Sequence, residues 1–267
     1  MSRLRQSGPV ILFLVTVLLS YSGPAEGGQT TKRFPSTQNN TGSEWQTLEE
    51  FGEGSNEEMR MVGSDVAQRN QYPYMVSPKD PKNMIVLFGV HELSGKRNDA
   101  QLSRNVVKIK IHEKYNPKHW FNDIAVLTLD NPVKFTKTIS PVCLPPQGST
   151  DSYEGRLVFA KGWGRTKEGG KGSDVLRHIS KRILNQSKCR QIYNYRPYPS
   201  HMMCAYEPGK GTCQGDSGGP LVVKSTGPKC KYEQVGIVSW GKGCARRGYP
   251  GVFMRVTSFL PWIKMNT

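Results

Sequence analysis

The run Gly215-Asp216-Ser217-Gly218-Gly219-Pro220 surrounds one serine with three glycines and a proline. That composition describes a tight backbone turn presenting a hydroxyl. If the N–H groups of Gly215 and Ser217 point to one side, the turn can hold the negative oxygen of an acyl-transfer intermediate. The plain alternative is a Gly-rich hairpin whose serine caps a turn. A serine hydroxyl is a weak nucleophile at neutral pH, so hydrolysis needs an imidazole within hydrogen-bond reach to take and return its proton. The chain offers five histidines, His91, His112, His119, His178 and His201.

The elements that must position these groups read as strands. Beyond Met61, short apolar or alternating runs are separated by Gly, Pro and Asn, which predicts strands at 84–90, 106–111, 124–129, 157–160, 221–223, 235–240 and 251–256. Residues 257–265 predict a C-terminal helix with Ser258 as N-cap and Pro261 in its first turn. The class is all-β, a sandwich or barrel. At 267 residues and 36% hydrophobic the chain can bury a substantial core, and its composition excludes disorder and collagen. No repeat of fixed period runs through it.

Gly211-Thr212-Cys213-Gln214-Gly215-Asp216-Ser217-Gly218-Gly219-Pro220 resembles the nucleophile loop of the chymotrypsin and trypsin family of serine endopeptidases. Four further stretches resemble that family, in the right order. Met61-Val62-Gly63-Ser64 after Arg60 looks like its activation junction, with Ser64 where a second glycine is usual. Asn122-Asp123-Ile124-Ala125-Val126-Leu127 looks like its catalytic aspartate segment, though a turn aspartate opening a strand is the simpler reading of Asp123 alone. Gly162-Trp163-Gly164 and Ser239-Trp240-Gly241 match its Trp-Gly landmarks, the second followed by Gly243-Cys244 and Tyr249-Pro250-Gly251-Val252-Phe253.

The resemblance implies two six-stranded antiparallel barrels of chymotrypsin type with a C-terminal helix, over residues 61–267. It makes Ser217 the nucleophile, Asp123 the buried carboxylate that orients an imidazole, and the N–H groups of Gly215 and Ser217 the oxyanion hole. The strand Ser239-Trp240-Gly241 would pair with substrate backbone. Cleavage after Arg60 would free the Met61 amine to bury beside Asp216 and shape the oxyanion loop. Protein or peptide substrates or inhibitors are the implied partners, with no cofactor.

One member of the triad is missing from this pattern. The family carries its histidine in a Thr-Ala-Ala-His-Cys stretch upstream of the aspartate, and the chain has none. Tyr72-Pro73-Tyr74-Met75-Val76-Ser77 resembles the first barrel strand and runs directly into 78–83 and then 84–91, which resembles the strand after the histidine segment, where a Gly-x-His tripeptide is structural. A block is therefore absent between Ser77 and Pro78. The first barrel is expected to be incomplete with open edges, and the general base to be lost. His91 matches the structural tripeptide, His112 reads as a half-exposed strand residue, and His119 lies in the loop before Asp123. His178 and His201 read as surface residues of the second barrel.

By the same resemblance Cys189 pairs with Cys204 and Cys213 with Cys244, leaving Cys143 and Cys230 for a third bridge. Val158 and Val223 occupy both positions of a further bridge found in many relatives. Without paired Cys-x-x-Cys spacing a zinc site is excluded, and no metal is expected. The resemblance places the floor of the primary pocket six residues before the nucleophile, at Gly211. With Thr212, Gly241 and Gly251 it implies a roomy, uncharged pocket suited to an aromatic or leucine side chain.

Arg3 and Arg5, an apolar run from Val10 to Leu19 and small residues to Gly27 read as a signal peptide over 1–27, so the product is expected to be secreted and oxidised, with no membrane anchor. Residues 28–60 read as a propeptide or linker. Asn39 and Asn185 begin glycosylation sequons. The whole chain carries +16, with +18 on residues 61–267 and −3 on residues 28–60. Lys108, Lys110 and Lys114, then Arg177, Lys181 and Arg182, then Arg246 and Arg247 form basic clusters. These fit a solvated surface or a site for heparin-like polyanions, and the lack of interleaved aromatics argues against nucleic acid. The expected product is a monomeric endopeptidase zymogen crippled by the lost base, or a non-catalytic homologue that binds substrates, inhibitors or polyanions.

Overall fold

The computed structural model describes residues 14–15, 62–67, 76–78, 84–93, 100–194, 198–227 and 230–267. They all belong to one compact unit; the other, Leu19–Glu58, lies outside them, as do Asn39, Arg60 and Met61.

The second half of the chain closes on itself. Strands β7 (Leu157–Gly162), β8 (Arg177–Ile183), β9 (Met202–Tyr206), β10 (Pro220–Lys224), β11 (Tyr232–Trp240) and β12 (Gly251–Arg255) pair antiparallel in the order β8-β7-β10-β11-β12-β9, and a β8–β9 pairing completes a six-stranded barrel. Period-two alternation sends Ala160, Ile179, Leu221, Val235 and Phe253 into one buried cluster. Val158 and Val223 belong to that same cluster, so two apolar side chains fill the place of a bridge there. A short β2 (Asp65–Val66) adds to β8 outside the barrel.

Among the described residues the first half does not close. β3 (Val76–Pro78), β4 (Ile85–Phe88), β5 (Leu102–Ile111) and β6 (Ala125–Leu129) form an open antiparallel sheet. Its outer edge on β6 is taken by β1 (Leu14–Val15), inside the segment read as a signal peptide. Val86, Phe88, Leu127, Val133 and Ile139 supply a small core. Alternate residues of β5, Val107, Ile109 and Ile111, stay 63%, 41% and 36% exposed, as expected where a barrel lacks the strands that would cover them. Among the described residues the first barrel is incomplete.

Helical segments flank the site. α1 (Gln186–Ile192) is capped by Asn185, whose Oδ1 accepts from Ser187 N at 2.8 Å; Asn185 itself is exposed. At the C-terminus a 3-10 turn (Val256–Phe259) leads into α2 (Leu260–Met265). Pro261 sits in the first turn of α2 as expected, but the cap position is Phe259, with no side-chain cap, because the 3-10 turn takes up Ser258. Val256, Phe259, Leu260 and Ile263 pack on Ile124 and Val126, tying the helix to the strand that follows Asp123.

All three expected disulfides form, Cys143–Cys230, Cys189–Cys204 and Cys213–Cys244. Cys143–Cys230 closes the longest loop, 87 residues, so chain entropy alone assigns it about 4–5 kcal/mol. Replacing both cysteines by serine should lower the urea midpoint accordingly under oxidising conditions. An unchanged midpoint would mean that the unfolded chain is already restricted without the bridge.

Candidate active site

The serine loop is held by backbone bonds from three directions. Asp216 N donates to Cys213 O at 3.0 Å, Gly219 N to Asp216 O at 2.9 Å, and Gly218 N to Val238 O on β11 at 2.9 Å. Gly215 and Gly218 have φ of +94° and +80°, the left-handed region that glycine enters without penalty. The loop leaves Ser217 partly exposed on the wall of a cleft it shares with Gly211, Thr212, Trp240, Gly241 and Gly251. Trp240 is fixed by Tyr193, edge-on at 4.8 Å, and the Tyr193 hydroxyl donates to Pro250 O.

Asp216 is buried beneath this loop. Its Oδ1 accepts from Gly164 N and its Oδ2 from Cys213 N, each at 2.9 Å. A Cβ at Gly164 would lie 2.4 Å from the Asp216 Cγ, which explains the glycine after Trp163. Burial pushes the carboxyl up to about 6, against the two N–H donors and Lys181. Val62 is tied to the stretch leading into this loop, since Gly211 N donates to Val62 O at 3.1 Å. Ser64 has a clear role, since Arg177 donates from Nε to its Oγ and from Nη2 to its carbonyl, both at 2.7 Å.

Asp123 is 2% exposed and accepts from the Ser239 hydroxyl at 2.6 Å. Burial raises its pKa to about 6, with the Ser239 bond opposing. Ser239, expected only as part of a substrate-pairing strand, thus also reaches the carboxylate.

The histidines are spread over the described residues. His91 uses its carbonyl to accept from Trp163 Nε1 and Leu176 N. His112 packs 4.9 Å from Trp262 and its Nδ1 accepts from Lys114 N. His119 stacks on Phe121 at 5.3 Å. His178 and His201 are half-buried, contrary to the surface reading. His178 faces Asp65 across the β2–β8 pairing, and His201 Nε2 accepts from Asn122 N at 3.3 Å while its ring meets Phe121 and Phe259 edge-on. Burial lowers the pKa of both.

Two expectations about charge are corrected. The Arg177, Lys181, Arg182 cluster is not a surface patch: Arg177 and Lys181 are 6% and 2% exposed, because β8 alternates and turns both inward with Ile179 and Ile183. Arg246 is held by Glu168 at 2.6 Å and Lys110 by Glu113 at 2.5 Å. Nor is the cleft expected to be the primary pocket uncharged, since Lys181 lines it together with Gly211, Thr212 and Gly251. Gly211 itself approaches the Ala245 backbone so closely that a Cβ there would lie 2.4 Å from Ala245 N.

The family model described as Trypsin matches residues 75–263. The chain belongs to the trypsin family. Among curated relatives it is 38% identical to Trypsin-1 of Astacus astacus over 190 residues, covering 70% of this chain and 77% of that protein. It is 40% identical to the Proclotting enzyme of Tachypleus tridentatus over 67% of this chain and 48% of that one. To the Suppressor of tumorigenicity 14 protein homolog of Bos taurus it is 37% identical over 66% of this chain, which is 20% of that protein. The chain thus spans most of one trypsin and half or less of the longer relatives. Among the described residues of this trypsin-family chain, no helix is long and apolar enough to cross a membrane.

Proposed function

We propose that this is a secreted trypsin-family zymogen, with a signal peptide over 1–27 and a propeptide over 28–60, that is cut after Arg60 and then binds peptide segments in its cleft while hydrolysing them at a severely reduced rate. The surviving machinery is Ser217, the N–H groups of Gly215 and Ser217, and Asp123; the general base is what it lacks. The observation that carries this reading is in the sequence: the Thr-Ala-Ala-His-Cys stretch in which the family carries its histidine is absent upstream of Asp123. The His112 ring packs on Trp262, the His119 ring on Phe121 and the His201 ring on Phe259, while Asp123 accepts from the Ser239 hydroxyl. A serine without an adjacent base keeps its proton and attacks slowly.

A fluorophosphonate probe tests this, since labelling requires an activated serine. Cleaved after Arg60, the chain should label at least about 10³-fold more slowly than a relative with all three triad members. Labelling at the relative's rate, abolished in Ser217→Ala, would overturn the proposal and demand a surrogate base.

A further inference from the structure

The pocket beside Ser217 encloses about 190 Å³ and holds a charge that its defining motif gives no sign of. Lys181 comes from β8, across the barrel from the serine loop, and lines the pocket although its side chain is almost wholly buried. Its Nζ would lie 3.5 Å from a Cβ built on Gly251, at the pocket wall. Burying an ammonium is costly unless an anion or a ring compensates it. The other buried lysine of the barrel, Lys161, has the Tyr232 ring 4.8 Å from its Nζ. Lys181 has neither ring nor salt bridge among the described residues. Asp216 and Glu207 attract its charge, but the Asp216 oxygens already accept from Gly164 and Cys213.

We propose that this pocket selects an acidic side chain, a glutamate or aspartate of a bound peptide, with Lys181 Nζ as its counter-ion. The proposal deepens the peptide-binding reading above and rests on it. An apolar occupant would seal the ammonium from water without compensating it. A lysine or arginine occupant would add a like charge in a space of low dielectric, whereas a carboxylate supplies the missing anion. At the rim a second cation points the same way: Lys242 lies over the Tyr249 ring at 4.1 Å and donates to its hydroxyl at 2.9 Å. The close approach of Ala245 to Gly211 also keeps the floor free of any side chain that would compete with the ligand for Lys181.

The charge carries a pH signature. Burial lowers the Lys181 pKa to about 8, with Asp216 and Glu207 opposing the fall. The pocket is therefore cationic at pH 6.5 and loses its charge as the pH rises through 8 to 9.

The test uses the chain cleaved after Arg60 and a small disulfide-bonded inhibitor scaffold whose exposed loop presents Glu, Leu or Lys to the pocket, with Kd measured by calorimetry. At pH 6.5 the Glu form should bind about 10-fold more tightly than the Leu form and about 100-fold more tightly than the Lys form. The advantage over Leu should shrink between pH 7 and pH 9 in the unmodified chain. In Lys181→Met, which replaces a buried charge by an apolar chain and should keep its melting temperature, the Leu form should bind best. A Leu or Lys form that binds tightest to the unmodified chain, or a Glu preference that persists in Lys181→Met or at pH 9, would overturn the charge assignment. Failure of all three forms to bind would instead remove the peptide-binding cleft, and the assignment with it.

Discussion

Between pH 4 and pH 7 the uncleaved chain should lose roughly 5 kcal/mol of stability that comes from two buried carboxyls, about 2–3 from each. Asp123 and Asp216 both have their pKa raised from 3.8 to about 6 by burial. A raised carboxyl binds its proton more tightly folded than unfolded. Its stabilising share is complete below the unfolded value and disappears as the pH rises through the folded value. His112, His178 and His201, held below their ordinary value by burial, work in the opposite direction across pH 5 to 7. The quantity to read is therefore a difference, the urea-unfolding stability of Asp123→Asn minus that of the parent. It should rise by about 2–3 kcal/mol from pH 4 to pH 7, and a flat difference would show that Asp123 ionises as it does in water. Cleavage after Arg60 should abolish the Asp216 share if the Met61 amine reaches that carboxylate.

Turnover carries the larger effect. If Ser217 and its loop act without a base, as proposed, peptide hydrolysis by the cleaved chain should fall about 10⁶-fold below that of a relative with all three triad members, the loss known from subtilisin when its histidine is removed. The residual rate should come from the N–H groups of Gly215 and Ser217 and from binding, so Ser217→Ala should change it by less than about threefold. A far larger drop on that substitution would mean that the serine still attacks.

Much of the site was readable because its constraints are backbone constraints. Gly164 and Gly211 are glycines because Asp216 and Ala245 lie where a Cβ would go, and Gly215 because the turn needs positive φ. Such positions leave a composition signature that needs no knowledge of distant partners. Lys181 left none, because barrel closure alone brings a strand residue thirty positions before Gly211 to the pocket. The same inward lysine, with Arg177, hid β8 by breaking its apolar alternation, while Met202–Tyr206 reads as too short an apolar run and α1 as too short a helix. β5 begins at Leu102, four residues before the expected 106, because pairing with β4 recruits the polar stretch Ser103 to Asn105.

The disulfides also divide the molecule. Every cysteine lies at or beyond residue 143, so nothing covalent except the main chain joins the half that carries Asp123 to the half that carries Ser217. A single proteolytic nick in the exposed Asp130–Pro132 turn would leave the carboxylate held to the serine by non-covalent contacts alone, among them the Ser239 hydroxyl on Asp123 and the packing of Ile124 and Val126 against the terminal helix. The barrel would stay stapled while the open sheet became free to dissociate, and one cut would part Asp123 from Ser217.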